Sequence, residues 1–207
     1  MPFHVLYVCT GNVCRSPMAE LLFRSWTSPD ADVVVTSAGT AALVGAPIDH
    51  SSASILTRLG LDPTRHRGRQ FEPAMALGAD LVLTAEVGHR DTVMTAAPSA
   101  FRRTFTMKEF ARLARRNEPG EPRAVVELAA RARGTESPRP RHDDEVADPF
   151  GTGVAQTRPI AQEVSDTVHA TLYVLSLLPE QRPRPSPAGR RPQPARAAPR
   201  RPRPHRS

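Results

Sequence analysis

Val8-Cys9-Thr10-Gly11-Asn12-Val13-Cys14-Arg15-Ser16-Pro17-Met18-Ala19-Glu20 is the stretch whose reading decides the fold. The apolar run leading into it, Val5 to Val8, reads as a buried strand. The run leaving it, Ala19 to Arg24, reads as the first turns of a helix. Cys9 therefore stands at a strand end, and Arg15 and Ser16 stand six and seven residues later at a helix mouth. Seven residues from Cys9 to Arg15 can curl so that backbone N–H groups point inward. Such a nest, backed by a helix N-terminus, binds phosphate-like anions. Gly11 permits dihedrals that a β-carbon would forbid, and Asn12 tolerates the left-handed region better than most residues. Arg15 offers a planar fork that matches two oxygens of an oxyanion. The same positive field favours the thiolate of Cys9, to which Ser16 can donate a hydrogen bond. The loop is a nucleophile under an anion cradle. It lacks the Gly-Lys-[Ser/Thr] ending of a nucleotide loop.

Outward from that loop, strands alternate with helices. Strands are expected at Phe3–Val8, Val33–Val35, Asp80–Thr84 and, as a short fourth, Phe101–Thr104. The first two are continuous apolar runs, the pattern of a parallel sheet covered on both faces. Helices are expected at Ser16–Ser28, Asp49–Leu59 (with Gly60 as its C-cap), Glu86–Ala96, Met107–Arg116, Val125–Arg133 and Pro159–Leu178, with Pro159 at the first helical position. The charged, Pro-containing segment Gly134–Asp144 reads as a mobile surface loop, and Asp148-Pro149-Phe150-Gly151 as a turn. The fold class is α/β: a four-stranded parallel sheet flanked by helices on both faces, with a phosphate-binding loop between the first strand and first helix. Ligands of such sheets bind beyond the carboxyl ends of the strands, where Cys9 sits.

The formal charge of +7 is a property of one end of the chain. From Pro179 onward there are nine Arg and one Glu, which leaves residues 1–178 with 19 Lys+Arg against 20 Asp+Glu. That tail also carries nine Pro and no aromatic residue, so it is expected to be disordered. The predicted organisation is a folded domain over residues 1–178 and an Arg/Pro-rich tail over 179–207. The tail suits unspecific contact with polyanions but lacks aromatics for base stacking. Both Cys residues lie in the opening loop, which is neither a secreted disulfide framework nor a zinc pattern. No signal peptide or membrane span is read, and a cytoplasmic location is expected. No metal or other cofactor is called for.

Cys9-Thr10-Gly11-Asn12-Val13-Cys14-Arg15-Ser16-Pro17 resembles the signature loop of low-molecular-weight protein tyrosine phosphatases. The resemblance continues through Thr36–Thr40, Gly45-Ala46-Pro47, Asp80–Thr84, Thr104-Phe105-Thr106 and Asp148–Gly151. It implies a metal-free, two-step phosphomonoester hydrolysis acting on a phosphotyrosine protein or another phosphomonoester. Cys9 would form a cysteinyl-phosphate. Arg15 and the loop residues Thr10, Gly11, Asn12, Val13, Cys14 and Ser16 would hold the phosphoryl group. The reaction needs a proton donor from outside the loop, and the resemblance assigns it to Asp148, with Asp143 and Asp144 as rivals that otherwise read as a solvated charge run. Asn12, Ser37 and His66 resemble residues that brace the loop, and Cys14 resembles a second loop Cys able to form a reversible disulfide with Cys9. Leu43 and Phe150 are expected as the apolar pocket wall. Other readings are a protein-arginine phosphatase, which tends to carry Thr where Val13 stands, and a small-thiol-coupled arsenate reductase. A phosphate-docking module without catalysis is a further one, which the intact Cys9, Arg15 and Asp148 set argues against.

Overall fold

The computed structural model describes residues 1–116, 118–135 and 140–179. Residues 180–207 of the expected tail and the centre of the expected 134–144 loop lie outside the described residues. Four parallel strands form one sheet: β1 (Phe3–Cys9), β2 (Val33–Gly39), β3 (Leu81–Thr84) and β4 (Thr104–Thr106), in the order β2-β1-β3-β4. The chain first steps from β1 to β2 on one side, then returns past β1 to β3 on the other. The crevice at the carboxyl end of β1 is therefore the topological switch point, where such sheets bind ligands.

Side-chain alternation along β1 explains the apolar run Val5–Val8 within it. Phe3, Val5, Tyr7 and Cys9 face one core, with α1 (Arg15–Trp26), α5 (Met107–Ala114), α6 (Pro122–Arg133) and α7 (Val154–Val174). Leu6 and Val8 face a smaller core with α3 (Pro73–Gly78) and α4 (Val87–Ala96). A period-two strand buried on both faces must be apolar at every position. β2 is less buried, with Val34 39% exposed, because it is an edge strand. Two arginines satisfy its carbonyls: Arg24 Nη2 donates to Val35 O at 3.4 Å and Arg69 Nε to Ser37 O at 2.5 Å. Charged side chains on an open edge also deter pairing with another chain. α2 (His50–Arg58) is capped by Asp49, whose carboxylate accepts from the amides of Ser51 and Ser52. It ends where Gly60 takes φ +79°, the left-handed C-terminal stop expected from the sequence.

Several element boundaries differ from expectation. The fourth strand is Thr104–Thr106; Pro98–Arg103 instead forms a 3₁₀ turn that leaves Phe101 half exposed, while Phe105 is fully buried against β3. α3 is too short for its periodicity to register in the sequence. α6 starts at Pro122 because the Glu121 side chain caps it by accepting from Ala124 N. α7 starts at Val154, so Pro159 lies inside it and not at its first position. The Thr157 hydroxyl donates to Gly153 O and sits 3.2 Å from that of Thr152, stabilising a start one turn earlier than the Pro signal suggests. α7 stops at Val174 and not Leu178, because Ser176 takes φ +54°. Arg141–Asp144 forms a 3₁₀ turn held by Arg112, whose guanidinium grips Asp144 at 3.0 Å. Asp144 is thus a tethered residue of the fold and not part of a solvated charge run.

α5 carries a buried charge cluster. Thr106 and Glu109 form a reciprocal capping box. The same Glu109 carboxylate, 4% exposed, also accepts from Arg90 at 2.9 Å and Arg133 at 2.8 Å. Arg133 lies over the Phe105 ring at 4.1 Å. One carboxylate thereby joins α4, α5 and α6 beneath β4. Replacing Glu109→Ala leaves the two guanidinium groups without it and removes the side-chain half of the capping box. We expect a loss of about 3 kcal/mol in unfolding free energy, measured by urea denaturation.

Candidate active site

The loop from Cys9 to Cys14 is held from outside by its carbonyls. Thr40 N donates to Cys9 O at 2.9 Å, Ala41 N to Thr10 O at 3.0 Å, Leu43 N to Gly11 O at 3.0 Å and Asp49 N to Val13 O at 2.8 Å. His66 Nε2 lies 2.8 Å from Asn12 O; a carbonyl only accepts, so this nitrogen carries the proton. Met18 N closes the set on Cys14 O at 3.1 Å. In a trans peptide the N–H points opposite to the preceding C=O. With six successive carbonyls turned outward, the amides converge on the inner side. The N-terminus of α1 faces the same space with no side chain capping it and no acidic residue in its first turn. This is an anion site made of backbone.

Asn12 fixes the curl. It takes φ +54° and is fully buried. Its Nδ2 donates to Ser16 Oγ and to Ser37 Oγ, both at 2.9 Å, and its Oδ1 accepts from Arg69 N at 3.0 Å. Ser37 Oγ in turn donates to Glu20 Oε2 at 2.6 Å. Ser16 Oγ accepts from Asn12 and lies 3.0 Å from Cys9 Sγ and 3.4 Å from Ala38 O; toward a Cys9 thiolate, which can only accept, its proton turns to the sulfur. Gly39 lets the loop pass this close: a β-carbon there would stand 2.4 Å from Thr10 O.

Above the loop is a cleft of about 140 Å³. Its floor is Cys9, Thr10, Gly11, Val13, Cys14 and Arg15; its wall is Ala41, Leu43, Asp148 and Phe150. Of the residues read from sequence, Asn12, Ser16, Ser37 and His66 lie behind the loop and not in the cleft. Leu43 and Phe150 stand at the rim, 45% and 56% exposed. Asp148 is brought in by the turn it starts: its Oδ1 accepts from Phe150 N at 3.2 Å, and Gly151 takes φ +73°. Asp148 Oδ2 sits 3.2 Å from Arg15 Nη2.

Arg15 is 1% exposed and is oriented by groups that the sequence reading missed. Its Nη1 pairs with Glu86 and donates to Val146 O at 2.8 Å. Its Nη2 also reaches Thr10 Oγ1 at 3.4 Å, and that hydroxyl lies 2.8 Å from His89 Nε2. Glu86 and His89 open α4 directly beyond β3, the neighbour of β1. Their spacing of three residues just after a strand end was the signal that could have found them.

The chain is similar to known proteins. The model of the family described as low molecular weight phosphotyrosine protein phosphatase matches residues 4–122. A protein-arginine-phosphatase of Geobacillus stearothermophilus is 36% identical over 110 residues, covering 53% of this chain and 72% of the relative. The low molecular weight protein-tyrosine-phosphatase Etp of Escherichia coli K12 is 38% identical over 101 residues, covering 49% of this chain and 66% of that one. The crystal structure of a low molecular weight protein tyrosine phosphatase from T. tengcongensis superposes with a TM-score of 0.62 at 28% identity, over 82% of this chain and 97% of that one.

The two thiols differ in kind. Burial pushes the Cys14 thiol up to about 12, and the nearby Asp49 carboxylate adds to the rise. A thiol raised that far stays protonated throughout the neutral range, whereas Cys9 has the Ser16 hydroxyl and the helix N-terminus beside it. Iodoacetamide at pH 7 should therefore alkylate Cys9 and leave Cys14 intact in the folded chain. Peptide mapping by mass spectrometry reads the distribution; equal labelling would contradict the asymmetry.

Proposed function

The chain belongs to the low molecular weight phosphotyrosine protein phosphatase family, and from that premise we propose that Cys9, Arg15 and Asp148 carry out hydrolysis of phosphotyrosine in proteins. The observation that carries the assignment is the convergence of Cys9, the uncapped end of α1, Arg15 and Asp148 on one cleft, although Asp148 lies far from the loop in sequence. Cys9 Sγ attacks phosphorus while the P–O bond to the tyrosine oxygen breaks, and Asp148 gives its proton to that oxygen. The equatorial oxygens rest on the loop amides and on Arg15, where charge is stabilised most in the transition state. Water then attacks the cysteinyl-phosphate, Asp148 takes its proton, the S–P bond breaks and inorganic phosphate leaves. The Ser16 hydroxyl stabilises the departing thiolate.

The aromatic ring of the substrate would lie between Leu43 and Phe150, with Val13 beneath. The folded phosphatase domain is taken as residues 1–178. No helix among the described residues is long and apolar enough to cross a membrane. We place the enzyme in the cytoplasm, where both free thiols of the loop stay reduced. The 179–207 tail, which lies outside the described residues from 180 onward, is proposed to contact polyanions by charge alone.

A second reading, phosphoarginine, is favoured by the similarity to a protein-arginine-phosphatase. Against it stands Val13, an apolar side chain on the cleft floor where a hydroxyl would be needed to meet a guanidinium.

Hydrolysis of p-nitrophenyl phosphate by three proteins tests the roles. Cys9→Ser should show no turnover. Asp148→Asn should be slower by about 10²–10⁴-fold and should lose the alkaline fall of kcat/KM, because that fall reports the acid giving up its proton. Wild-type rates in either variant would overturn the assignment. For substrate class, phosphotyrosine and phosphoarginine peptides should be compared in wild type and Val13→Thr. We expect wild type to prefer phosphotyrosine and the variant to shift the kcat/KM ratio toward phosphoarginine by roughly 10-fold or more. No shift would remove Val13 as the discriminating position.

A further inference from the structure

His89, on the first turn of α4, is a buried titratable group that the mechanism above does not use. It is 6% exposed. Its Nε2 lies 2.8 Å from Thr10 Oγ1, while Nδ1 is buried with no hydrogen-bond partner among the described residues. Burial holds the imidazole below its ordinary pKa, against the raising influence of Glu86, so it is neutral and carries one proton. If that proton were on Nδ1, a buried N–H would have no acceptor. On Nε2 it has the Thr10 oxygen, and only a lone pair is left unused. Orphaned buried N–H groups are the rarer defect in proteins, which selects the Nε2–H tautomer.

That choice settles the role of the Thr10 hydroxyl. A hydroxyl oxygen accepts two hydrogen bonds and donates one. Thr10 Oγ1 accepts from His89 Nε2 and, at 3.4 Å, from Arg15 Nη2. Both lone pairs are engaged, so only the O–H proton remains, and Thr10 lines the cleft beside Cys9 and Arg15. We propose that His89 is a positioning residue that turns the Thr10 hydroxyl into a dedicated donor to a phosphoryl oxygen of the substrate. With Glu86 gripping Arg15 Nη1 one turn of α4 away, a single helix end aims both side-chain donors of the site. The inference rests on the reading of the cleft as a phosphomonoester site.

The full chain and five variants, Thr10→Val, Thr10→Ser, His89→Ala, His89→Gln and the double Thr10→Val/His89→Ala, provide the test. Two readouts are used: calorimetric binding of inorganic phosphate, and kcat/KM on p-nitrophenyl phosphate. Thr10→Val and His89→Ala should each weaken phosphate binding and lower kcat/KM by roughly 10-fold, the loss of one hydrogen bond to a charged group. Thr10→Ser keeps the hydroxyl, and His89→Gln keeps an N–H at about the Nε2 position; both should stay within about 3-fold of wild type. The double variant should be no worse than Thr10→Val alone, because His89 acts only through that hydroxyl. Losses that multiply in the double variant, or an Ala variant at His89 equal to wild type, would overturn the proposal. So would equal losses in His89→Gln and His89→Ala, the mark of a packing role. If the wild type bound phosphate with this pattern of variants but failed to hydrolyse the ester, the positioning role would stand and the phosphatase reading would fall.

Discussion

One buried amide holds this site together. Asn12 sits at φ +54°, a conformation that costs a non-glycine residue about 1–3 kcal/mol and persists only where surroundings over-determine it. Here they do. Its side chain bonds Ser16, Ser37 and the Arg69 amide, and its carbonyl takes the His66 proton. These partners come from three parts of the chain: the start of α1, the end of β2 and the segment after α2. The curl of the loop, the direction of the Ser16 proton and the seating of β2 beside β1 are one hydrogen-bonded unit. The strain is local, and the fold offsets it with partners that only the folded chain provides.

The same economy governs charge. Arg15 is buried in the floor of the cleft, where an unpaired guanidinium would be costly. Glu86 and the Val146 carbonyl hold one arm, so the other faces Asp148 and the cleft. A preorganised cation of this kind stabilises transition-state charge without reorganising at the moment of reaction. Glu109 plays a structural counterpart elsewhere, one buried carboxylate shared by two arginines from two helices. The loop's two thiols show how position alone separates like groups. Cys9 sits at a strand end beneath a helix N-terminus; Cys14, farther along the same cleft floor, is kept protonated by burial and the nearby Asp49 carboxylate.

What could be read from the chain and what could not divides along sequence distance. The two-faced burial of β1 was legible because a period-two element covered on both sides must be apolar throughout, as Val5–Val8 is. The β4 boundary was not, because Phe101 and Phe105 are equally good strand residues; only pairing with β3 and the Thr106 cap decide between them. Pro159 misled for a related reason. Its fixed φ suits a first turn, yet the Thr157 hydroxyl and Gly153 start the helix earlier, so Pro159 is the sixth helical residue. Asp144 reads as solvent-facing charge in the sequence because Arg112, which holds it, lies on another element.

By itself the sequence determined the anion cradle. Cys9, Gly11, Asn12, Arg15 and Ser16 stand within eight residues between a strand and a helix, and the physics of that junction is local: inward amides, a helix dipole, a fork of N–H donors. Tertiary structure decided everything that reaches the cradle from elsewhere. Asp148 enters from a turn before α7, Leu43 and Phe150 form the rim, and Glu86 and His89 arrive only because β3 lies beside β1 and delivers the first turn of α4 to the loop. A residue's own side chain shows what it can donate or accept. Where that donation goes is fixed by strand order, which no local pattern encodes.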